Sequence, residues 1–346
     1  MRDTWSKQLV VTVSVEPDDP SVVGRMGAYR SVDGLGRFHE LCRRHGVRPT
    51  YLLTYSAASE PRCAELARSW AQEAELGAHL HPEEVPPIAE NERDNPTLRP
   101  SDVEPQRLRA KLGNLVERIA EATGRTPTSY RSGFFDLTPA QVAALLELGI
   151  EVDSSLGPLE KVGRCYPFLR APFAPYVVDP DDVCRPLGSD FRSAISDCRL
   201  ADQETEKSQI ANRKSQIPRL VEVPMTSVFR RPFPRAFHRA YFGLPGRVRG
   251  LLRAVGLADV VRFRPATASE RDLATVCRRA ERLGIPAVMT IHSNELWPGT
   301  SATVPTEAAC AGYFERLERV FAYARERDWT SRTLTEVARV ARRDAA

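Results

Sequence analysis

Short apolar runs alternate with amphipathic segments along the first part of the chain. Residues 9–15 are dense in β-branched side chains and predict a fully buried strand. Residues 50–54 and 75–81 predict two more strands, which are separated by helices predicted at 34–45 and 61–72. Connections of this length suit parallel crossovers, so the order β-α-β-α-β predicts an α/β protein with a parallel sheet.

The same alternation continues towards the end of the chain. Amphipathic spacing predicts a long helix over 108–122, and Thr138 opens another helix with a capping box. Further buried strands are predicted at residues 150–155, 220–224 and 287–291. About seven strands therefore alternate with helices in one domain, residues 1–346. This pattern predicts a distorted (β/α) barrel, because the sequence lacks the Gly-rich fingerprint of a nucleotide-binding open sheet.

One segment interrupts the alternation. Lys207-Ser208-Gln209-Ile210 recurs seven residues later as Lys214-Ser215-Gln216-Ile217. Two copies with a single isoleucine each cannot form the seam of a coiled coil. We therefore expect residues 202–217 to be a low-complexity, disordered insertion within the barrel.

The charge pattern limits the classes of partner. Lys and Arg total 49 against 45 acidic residues, and most of these charges are interspersed. The exception is residues 230–264, which are rich in arginine. A solvated helical face explains that stretch most simply, and a polyanion patch or a peripheral contact with a membrane surface stays open. The stretch lacks the interleaved aromatic residues and the recognition module of a nucleic-acid binder, so we expect no nucleic-acid partner.

Cysteine usage and the amino-terminal residues predict a cytoplasmic protein. The seven cysteines form no CxxC pair, are odd in number and are widely spaced, which fits reduced thiols better than a disulfide framework. Residues 1–8 are polar and run directly into the first strand, so we expect no signal peptide. No apolar run in the sequence approaches the length of a membrane-spanning helix. The sequence predicts no particular oligomeric state.

Two alternating histidines end the third predicted strand. Side chains at i and i+2 of a strand share one face, so His79 and His81 project together. A neutral imidazole nitrogen is a common ligand of transition metals, which makes the pair a candidate metal site. Alternatively, one histidine packs in the core and the other hydrogen-bonds in a turn, and the short HxH motif does not decide between these readings. The proline-rich run that follows, residues 82–105, is long enough to predict a functional loop.

Polar residues follow several other predicted strands as well. In a barrel of this kind the carboxyl ends of the strands converge on one mouth, where active sites lie. The residues that the predicted strands deliver there are Glu16, Asp18, His79, His81, Arg131, Asp153 and His292. Each of them alone has an ordinary structural explanation, such as an Asx-type turn at Asp153. Their convergence at one mouth predicts a functional site.

Five short motifs lie at these strand ends, and together they resemble a known family. In chain order they are Val13-Ser14-Val15-Glu16, Glu75-Leu76-Gly77-Ala78-His79-Leu80-His81-Pro82, Tyr130-Arg131-Ser132-Gly133, Val152-Asp153-Ser154-Ser155 and Thr290-Ile291-His292-Ser293. In this order they resemble the motifs of the polysaccharide deacetylase family, also called carbohydrate esterase family 4. The resemblance covers nearly the whole chain except the repeat insertion. It implies a distorted β/α barrel, a divalent metal held by one carboxylate and two histidines, and removal of acetyl groups from N-acetylated sugars.

The resemblance also implies a role for each matched residue. Glu16 takes the metal-carboxylate position and His79 the first metal-histidine position, and the ligand types favour zinc. His292 matches the general acid that protonates the leaving amine. Arg131 matches the arginine that orients the base, and Asp153 matches an acid that supports the base or His292.

The chain departs from the family pattern at two positions. The base position holds Ser14 instead of aspartate, and a serine hydroxyl cannot accept a proton as a working base does. The second metal histidine usually lies four residues after the first, where this chain has Glu83. Strand geometry makes His81 the natural substitute, with Glu83 as the fallback ligand. Asp18 and Asp19, on the loop after the first strand, are candidates for a substitute base, and Asp153 is a further candidate.

Two functions remain open at this point. The resemblance implies a carbohydrate N-deacetylase acting on a carbohydrate or glycan precursor, with Tyr130 and Trp297 as candidates for contacting the sugar. The substitution at Ser14 leaves room for a second function, a catalytically impaired protein on the same fold that binds a carbohydrate or acts as a scaffold.

Overall fold

The computed structural model describes residues 5–92, 95–159, 171–187, 219–234, 237, 240–241 and 243–345. The repeat insertion predicted at 202–217 lies outside these residues, so its predicted disorder stays a prediction.

Seven parallel strands form a curled sheet. In spatial order they are β11 (Ala287–His292), β1 (Gln8–Val15), β2 (Thr50–Leu53), β3 (Glu75–Leu80), β4 (Ser129–Ser132), β5 (Val152–Asp153) and β8 (Val221–Glu222). Three further strands extend the sheet. They are β6 (Tyr176–Asp179), antiparallel to β8; β7 (Asp182–Pro186), antiparallel to β6; and β12 (Thr330–Arg332), parallel to the start of β1. The prediction of a distorted (β/α) barrel with about seven alternating strands is confirmed.

Helices connect the strands and cover the outside of the sheet. The described helices are α1 (Pro20–Val23), α2 (Val32–Arg44), α3 (Tyr55–Ser59), α4 (Pro61–Trp70), α5 (Pro105–Thr123), α6 (Pro139–Glu147), α7 (Gly246–Ala254), α8 (Glu270–Leu283), α9 (Glu307–Glu326) and α10 (Leu334–Ala345). The capping box predicted at Thr138 is present, because its side chain and that of Gln141 bond each other's backbone N–H. Gly284 ends α8 in the left-handed conformation, which only glycine adopts at little cost.

The amino end of the barrel is closed by an apolar plug. Inward-facing residues of five strands pack against one face of α10; they are Val10, Leu52, Val152, Val221 and Val288, against Leu334, Val337, Ala338 and Ala341. A larger apolar layer fills the space between the sheet and the outer helices. Because the amino end is filled, the polar residues at the carboxyl ends of the strands line the open mouth.

The wall of the barrel is completed irregularly between β8 and β11. Two extended segments bond to the free edge of β11 in place of a regular strand: Thr226 N donates to Val288 O, and Thr290 N donates to Phe263 O. The two segments also bond each other, since Phe263 N donates to Thr226 O. This arrangement brings Arg264, the next residue, to the barrel mouth.

A small antiparallel unit lies beside the barrel. It consists of β9 (Ser227–Phe229) and β10 (Val260–Arg262), with α7 between them in sequence. Its apolar centre is formed by Leu159, Phe229, Tyr241 and Ala258. In the described part of the chain, no helix is both long enough and apolar enough to cross a membrane.

Candidate active site

Three predicted ligands meet at the barrel mouth. Glu16 follows the end of β1, His79 lies within β3, and His81 follows the end of β3. The Nε2 atoms of His79 and His81 lie 3.7 Å and 3.5 Å from Oε2 of Glu16. Two ligands that bind zinc tetrahedrally at about 2.0–2.2 Å lie about 3.3–3.6 Å apart, so this spacing fits a small divalent metal ion.

Hydrogen bonds orient both imidazole rings towards Glu16. Nδ1 of His79 lies 3.0 Å from the carbonyl oxygen of Arg131, and Nδ1 of His81 lies 3.3 Å from Oε1 of Glu83. Both partners accept, so each Nδ1 donates its proton, which leaves Nε2 as the nitrogen that can bind a ligand. Metal-binding histidines typically make this type of hydrogen bond. Glu83, the fallback ligand, therefore orients His81 in this structure.

The charges of this group are coupled. Burial lowers the pKa of His79 to about 4 despite its contact with Glu16. Burial also acts to lower the pKa of His81, but Glu16 and Glu83 outweigh it and raise that pKa to about 10. For Glu16, burial opposes ionisation, yet the nearby histidines hold its pKa well below the usual value. A divalent cation would replace the proton on His81 and pair with the same carboxylate.

The loop after β11 fixes the backbone of Glu16. The hydroxyl of Ser293 donates to the carbonyl oxygen of Glu16 at 2.9 Å and accepts from its N–H at 3.1 Å. Nδ2 of Asn294 donates to the carbonyl oxygen of Pro17 at 3.3 Å. The backbone of Glu16, the candidate carboxylate ligand, is thus held by the turn that follows His292.

His292 adjoins the three ligands, as expected of a proton-transfer group. Its Nε2 lies 3.9 Å from Oε1 of Glu16. Its Nδ1 faces a donor, Nη2 of Arg264 at 2.9 Å, and an acceptor, Oε1 of Glu295 at 3.4 Å. When Nδ1 accepts a hydrogen bond from Arg264, the proton of the neutral ring is on Nε2. When Nδ1 donates to Glu295, Nε2 has no proton and can accept one. The surroundings therefore accommodate both proton states of Nε2.

Glu295 is a buried carboxylate that accepts hydrogen bonds from several donors. Burial alone would raise its pKa, but the hydrogen bond and charge of His292, together with Arg264, lower it to about 2. The hydroxyl of Tyr313 also donates to it at 3.0 Å. An ionised Glu295 stabilises a positive charge on His292 next to the ligands.

Arg131 is fully buried inside the barrel and incompletely paired. Its Nε donates to the carbonyl oxygen of Ser154, and its Nη2 donates to the hydroxyls of Thr12 and Ser154. Nη1 of Arg131 and the hydroxyl of Ser14 are both buried, and neither has a hydrogen-bond partner within the described chain. Thr12 and Ser14 share one face of β1, so the arginine faces the position at which the family places its base.

Asp153 does not occupy the position expected from the resemblance. Strand register pairs it with Tyr130 and Glu222, on the face opposite Arg131. Its carboxylate accepts from the N–H and hydroxyl of Ser155, which is the Asx-type turn considered as its alternative. Burial raises its pKa, and burial together with the neighbouring Asp153 raises the pKa of Glu222 well above its usual value, which favours a protonated Glu222 beside Asp153. The prediction that Asp153 directly supports His292 is therefore wrong, because Glu295 is the carboxylate that contacts His292.

The two loop aspartates already have structural partners. Asp18 is fully buried, and its carboxylate accepts from the N–H groups of Arg30 and Ser31 at the entrance to α2. Asp19 caps α1 by accepting from the N–H and hydroxyl of Ser21. Neither of these contacts turns a free carboxylate towards His81 or Glu16.

Of the two aromatic residues predicted to contact a sugar, Tyr130 is buried in the core and Trp297 is partly exposed. Tyr130 is fully buried in the layer outside the sheet and its hydroxyl accepts from Gln141, so its predicted contact with a sugar is wrong. Trp297 is half-buried on the loop after β11 and remains a candidate. The ring of Phe134 packs edge-on against His81, with 5.7 Å between centroids. Phe134 and Phe135 both have positive φ, a strained backbone of the kind that often marks functional sites.

Comparison with solved structures identifies the architecture. A structure from Mycobacterium smegmatis, assigned to the polysaccharide deacetylases, matches with a TM-score of 0.59 and 17% identity over 100% of this chain and 93% of that one. A second such structure, from Pseudomonas aeruginosa PAO1, matches with a TM-score of 0.53 and 13% identity over 97% and 92% of the two chains. The chain has the polysaccharide deacetylase fold. No family model and no curated protein matches the sequence.

Three residues of this polysaccharide deacetylase fold escaped sequence reasoning. Glu295 follows His292 by three residues, and that spacing in a tight turn was its only signal. Arg264 reaches His292 from an irregular chain segment, and Glu222 reaches Asp153 through strand pairing. No local sequence pattern indicates either contact.

Proposed function

We propose that the protein is a metal-dependent hydrolase that removes acetyl groups from an N-acetylated sugar. The observation that carries this proposal is the arrangement of Glu16, His79 and His81, whose ligand atoms lie within 4.8 Å of one another at the barrel mouth. The orientation of both imidazoles by Arg131 and Glu83 supports it, since these hydrogen bonds prepare Nε2 for a metal.

Zinc is the ion that this donor set favours, with Glu16, His79 and His81 as ligands. When bound, such an ion polarises the acetyl carbonyl and lowers the pKa of a coordinated water. The chain itself must then supply the proton transfers, and it must hold the substrate amide against the mouth.

We assign both proton transfers to His292. Ser14 cannot act as a base, and the carboxylates of Asp18, Asp19 and Asp153 are bonded elsewhere. Nε2 of His292 accepts the proton of the attacking water while Nδ1–H donates to Glu295. Nε2 then delivers that proton to the leaving amine. The donor and acceptor that both face Nδ1 support this double role.

The substrate that we propose is a carbohydrate or glycan precursor, and the polysaccharide deacetylase fold supports this class. Four of the described cysteines are buried or nearly buried free thiols; they are Cys42, Cys63, Cys277 and Cys310. Free thiols suit a reducing compartment, which favours a cytoplasmic precursor over an extracellular polymer. Ser14 supports the second candidate, a sugar-binding protein without turnover.

Metal content and acetate release test the proposed function. The purified protein should carry about one zinc ion per chain by elemental analysis, and His79→Ala should lose most of it because one of three ligands is gone. The matched variant His292→Gln should keep the metal but lose about 10²–10⁴-fold in acetate release from N-acetylated sugars, since a proton-transfer group contributes that much. Equal metal content in His79→Ala and the wild type would refute the site. Turnover unchanged by His292→Gln would refute the double role.

A further inference from the structure

Exposed apolar side chains cluster on α7 and the turn that follows it. Across the described residues, eight large hydrophobic side chains are strongly exposed, and four of them lie between positions 248 and 257. These four are Val248, Leu251, Val255 and Leu257. Leu251 is 63% exposed and Val255 is 56% exposed, although a folded protein usually covers such side chains.

The exposed residues of α7 form one stripe. At 3.6 residues per turn, positions 248, 251 and 255 lie within about 60° of one another. The helix packs on the small antiparallel unit through Leu252, which contacts the cluster around Phe229 and lies about 100° around the helix from Leu251. Leu251 and Val255, the two most exposed residues of the stripe, therefore project away from the packed side.

The charges beside this stripe are almost all positive. Residues 246–257, which hold the stripe, contain three arginines and no acidic residue, and Asp259, just beyond them, is paired with Arg230 at 3.6 Å. Arg253 is partly engaged, because its Nη2 donates to the carbonyl oxygen of Leu159. Arg247 and Arg249 have no ion-pair partner among the described residues, and they lie on the same helix as the stripe. An apolar stripe with unpaired arginines matches an anionic bilayer surface, where apolar side chains insert and arginines meet lipid phosphates.

We propose that α7 and the adjoining turn, residues 246–257, bind the surface of an anionic lipid membrane. The occupant is a bilayer because the apolar side chains and the unpaired positive charges occur together, and because α7 itself carries no acidic residue. The same segment leads through β10 to Arg264, which contacts His292. Attachment there holds the protein at the surface on which lipid-linked sugars are found. This consequence rests on the proposed function, whereas the binding itself does not.

Vesicle co-sedimentation tests this surface directly. The full chain should bind vesicles of phosphatidylcholine with 30% phosphatidylglycerol, and bind pure phosphatidylcholine at least tenfold more weakly. Salt at 0.5 M should release most of the bound protein, since it screens the arginine–phosphate attraction. Leu251→Glu should reduce binding more than tenfold, because it removes an inserting side chain and adds a negative charge. The matched control Ala311→Glu adds the same charge on exposed α9 and should bind like the wild type.

A second pair of variants isolates the electrostatic contribution. Arg247→Gln/Arg249→Gln should weaken binding about tenfold to thirtyfold, as expected when two basic residues near an anionic surface are lost. The control Arg278→Gln/Arg282→Gln removes two exposed arginines of α8 and should leave binding unchanged. Circular dichroism and melting curves check that all variants fold.

Three outcomes would overturn the proposal. They are equal binding to neutral and anionic vesicles, wild-type binding by Leu251→Glu, and no vesicle binding together with a dimer that Leu251→Glu dissociates. The last would identify the stripe as a protein interface. None of these measurements uses metal or deacetylation, so failure of the proposed function would leave them unaffected.

Discussion

The substitution at Ser14 bears most directly on whether the proposed site is catalytic. Its hydroxyl is buried without a partner in the described structure, and so is Nη1 of Arg131. An aspartate at this position would enter the barrel beside a guanidinium that already bonds Thr12 on the same strand face. The local structure is thus prepared for a carboxylate that the sequence does not supply.

We therefore expect Ser14→Asp to raise the rate of acetate release by about 10–10³-fold, because it adds a general base that His292 alone must otherwise replace. Single-turnover and steady-state rates on N-acetylated sugars measure the gain. Ser14→Asn is the matched control, with the same shape and no basicity, and it should give no increase. If Ser14→Asp and the wild type are both inactive while zinc is bound, the sugar-binding function becomes the better description.

The positions of individual site residues were predictable where a sequence motif placed a metal-binding or proton-transfer side chain at a strand end. Glu16, His79 and His292 lie where the motifs indicate, because a strand delivers each side chain to the mouth. Asp153 matched the motif but points to the other face, since one residue along a strand reverses the direction of a side chain. The partner that His292 uses, Glu295, comes from a tight turn that the motifs do not include.

At the scale of elements, one buried lysine joins helix α5 to the loop that follows His81, a candidate metal ligand. Nζ of Lys111 donates to the carbonyl oxygens of Pro82 and Val85 at 2.8 Å and 2.6 Å, and pairs with Glu92 at 3.1 Å. Both charged side chains are almost completely buried. The loop over residues 82–105 was expected to be functional, and this network holds its start next to His81.

Replacing this lysine should loosen the loop. We expect Lys111→Met to lower the free energy of unfolding by about 2–4 kcal/mol, because Glu92 keeps only Arg107 as its charged partner and two carbonyl oxygens lose their donor. Urea denaturation measures the change, and Arg109→Met, on the exposed side of the same helix, should cost less than about 0.5 kcal/mol. A cost below 0.5 kcal/mol for Lys111→Met as well would contradict this account. Adding Glu92→Gln should recover part of the loss.

Regular helices and strands were more predictable than the irregular segments between them. Apolar periodicity located α5, and the capping box located the start of α6, within a few residues of the observed positions. The irregular wall between β8 and β11 has no such signal, since only isolated residues of the described chain, Thr226 and Phe263, bond to the edge of β11 and they form no regular strand ladder with it. Long-range pairing of this kind depends on the whole barrel rather than on local sequence.

For the whole molecule, two buried carboxyl groups shift stability in opposite directions with pH. Glu295 has a pKa of about 2, below its usual value, so its contribution is present above pH ~4.5 and is lost as pH falls towards 2. Glu222 has a pKa raised well above its usual value by burial and by Asp153. Its favourable contribution is present below pH ~4.5 and is lost as pH rises, because the folded state then holds a proton that the unfolded state releases.

The barrel should consequently lose stability above pH ~4.5 through Glu222, with a slope of up to about 1.4 kcal/mol per pH unit. In Glu222→Gln the amide donates to Asp153 and still accepts from the N–H of Leu156, so no proton has to be bound. We expect this variant to match or exceed the wild type in unfolding free energy at pH 7, and to show a flatter profile between pH 5 and 7. Urea denaturation at each pH measures both curves, with the exposed substitution Glu326→Gln as control. Parallel curves for wild type and Glu222→Gln would show that Asp153 and Glu222 do not share a proton, and that another contact must explain how two carboxyl groups are buried side by side.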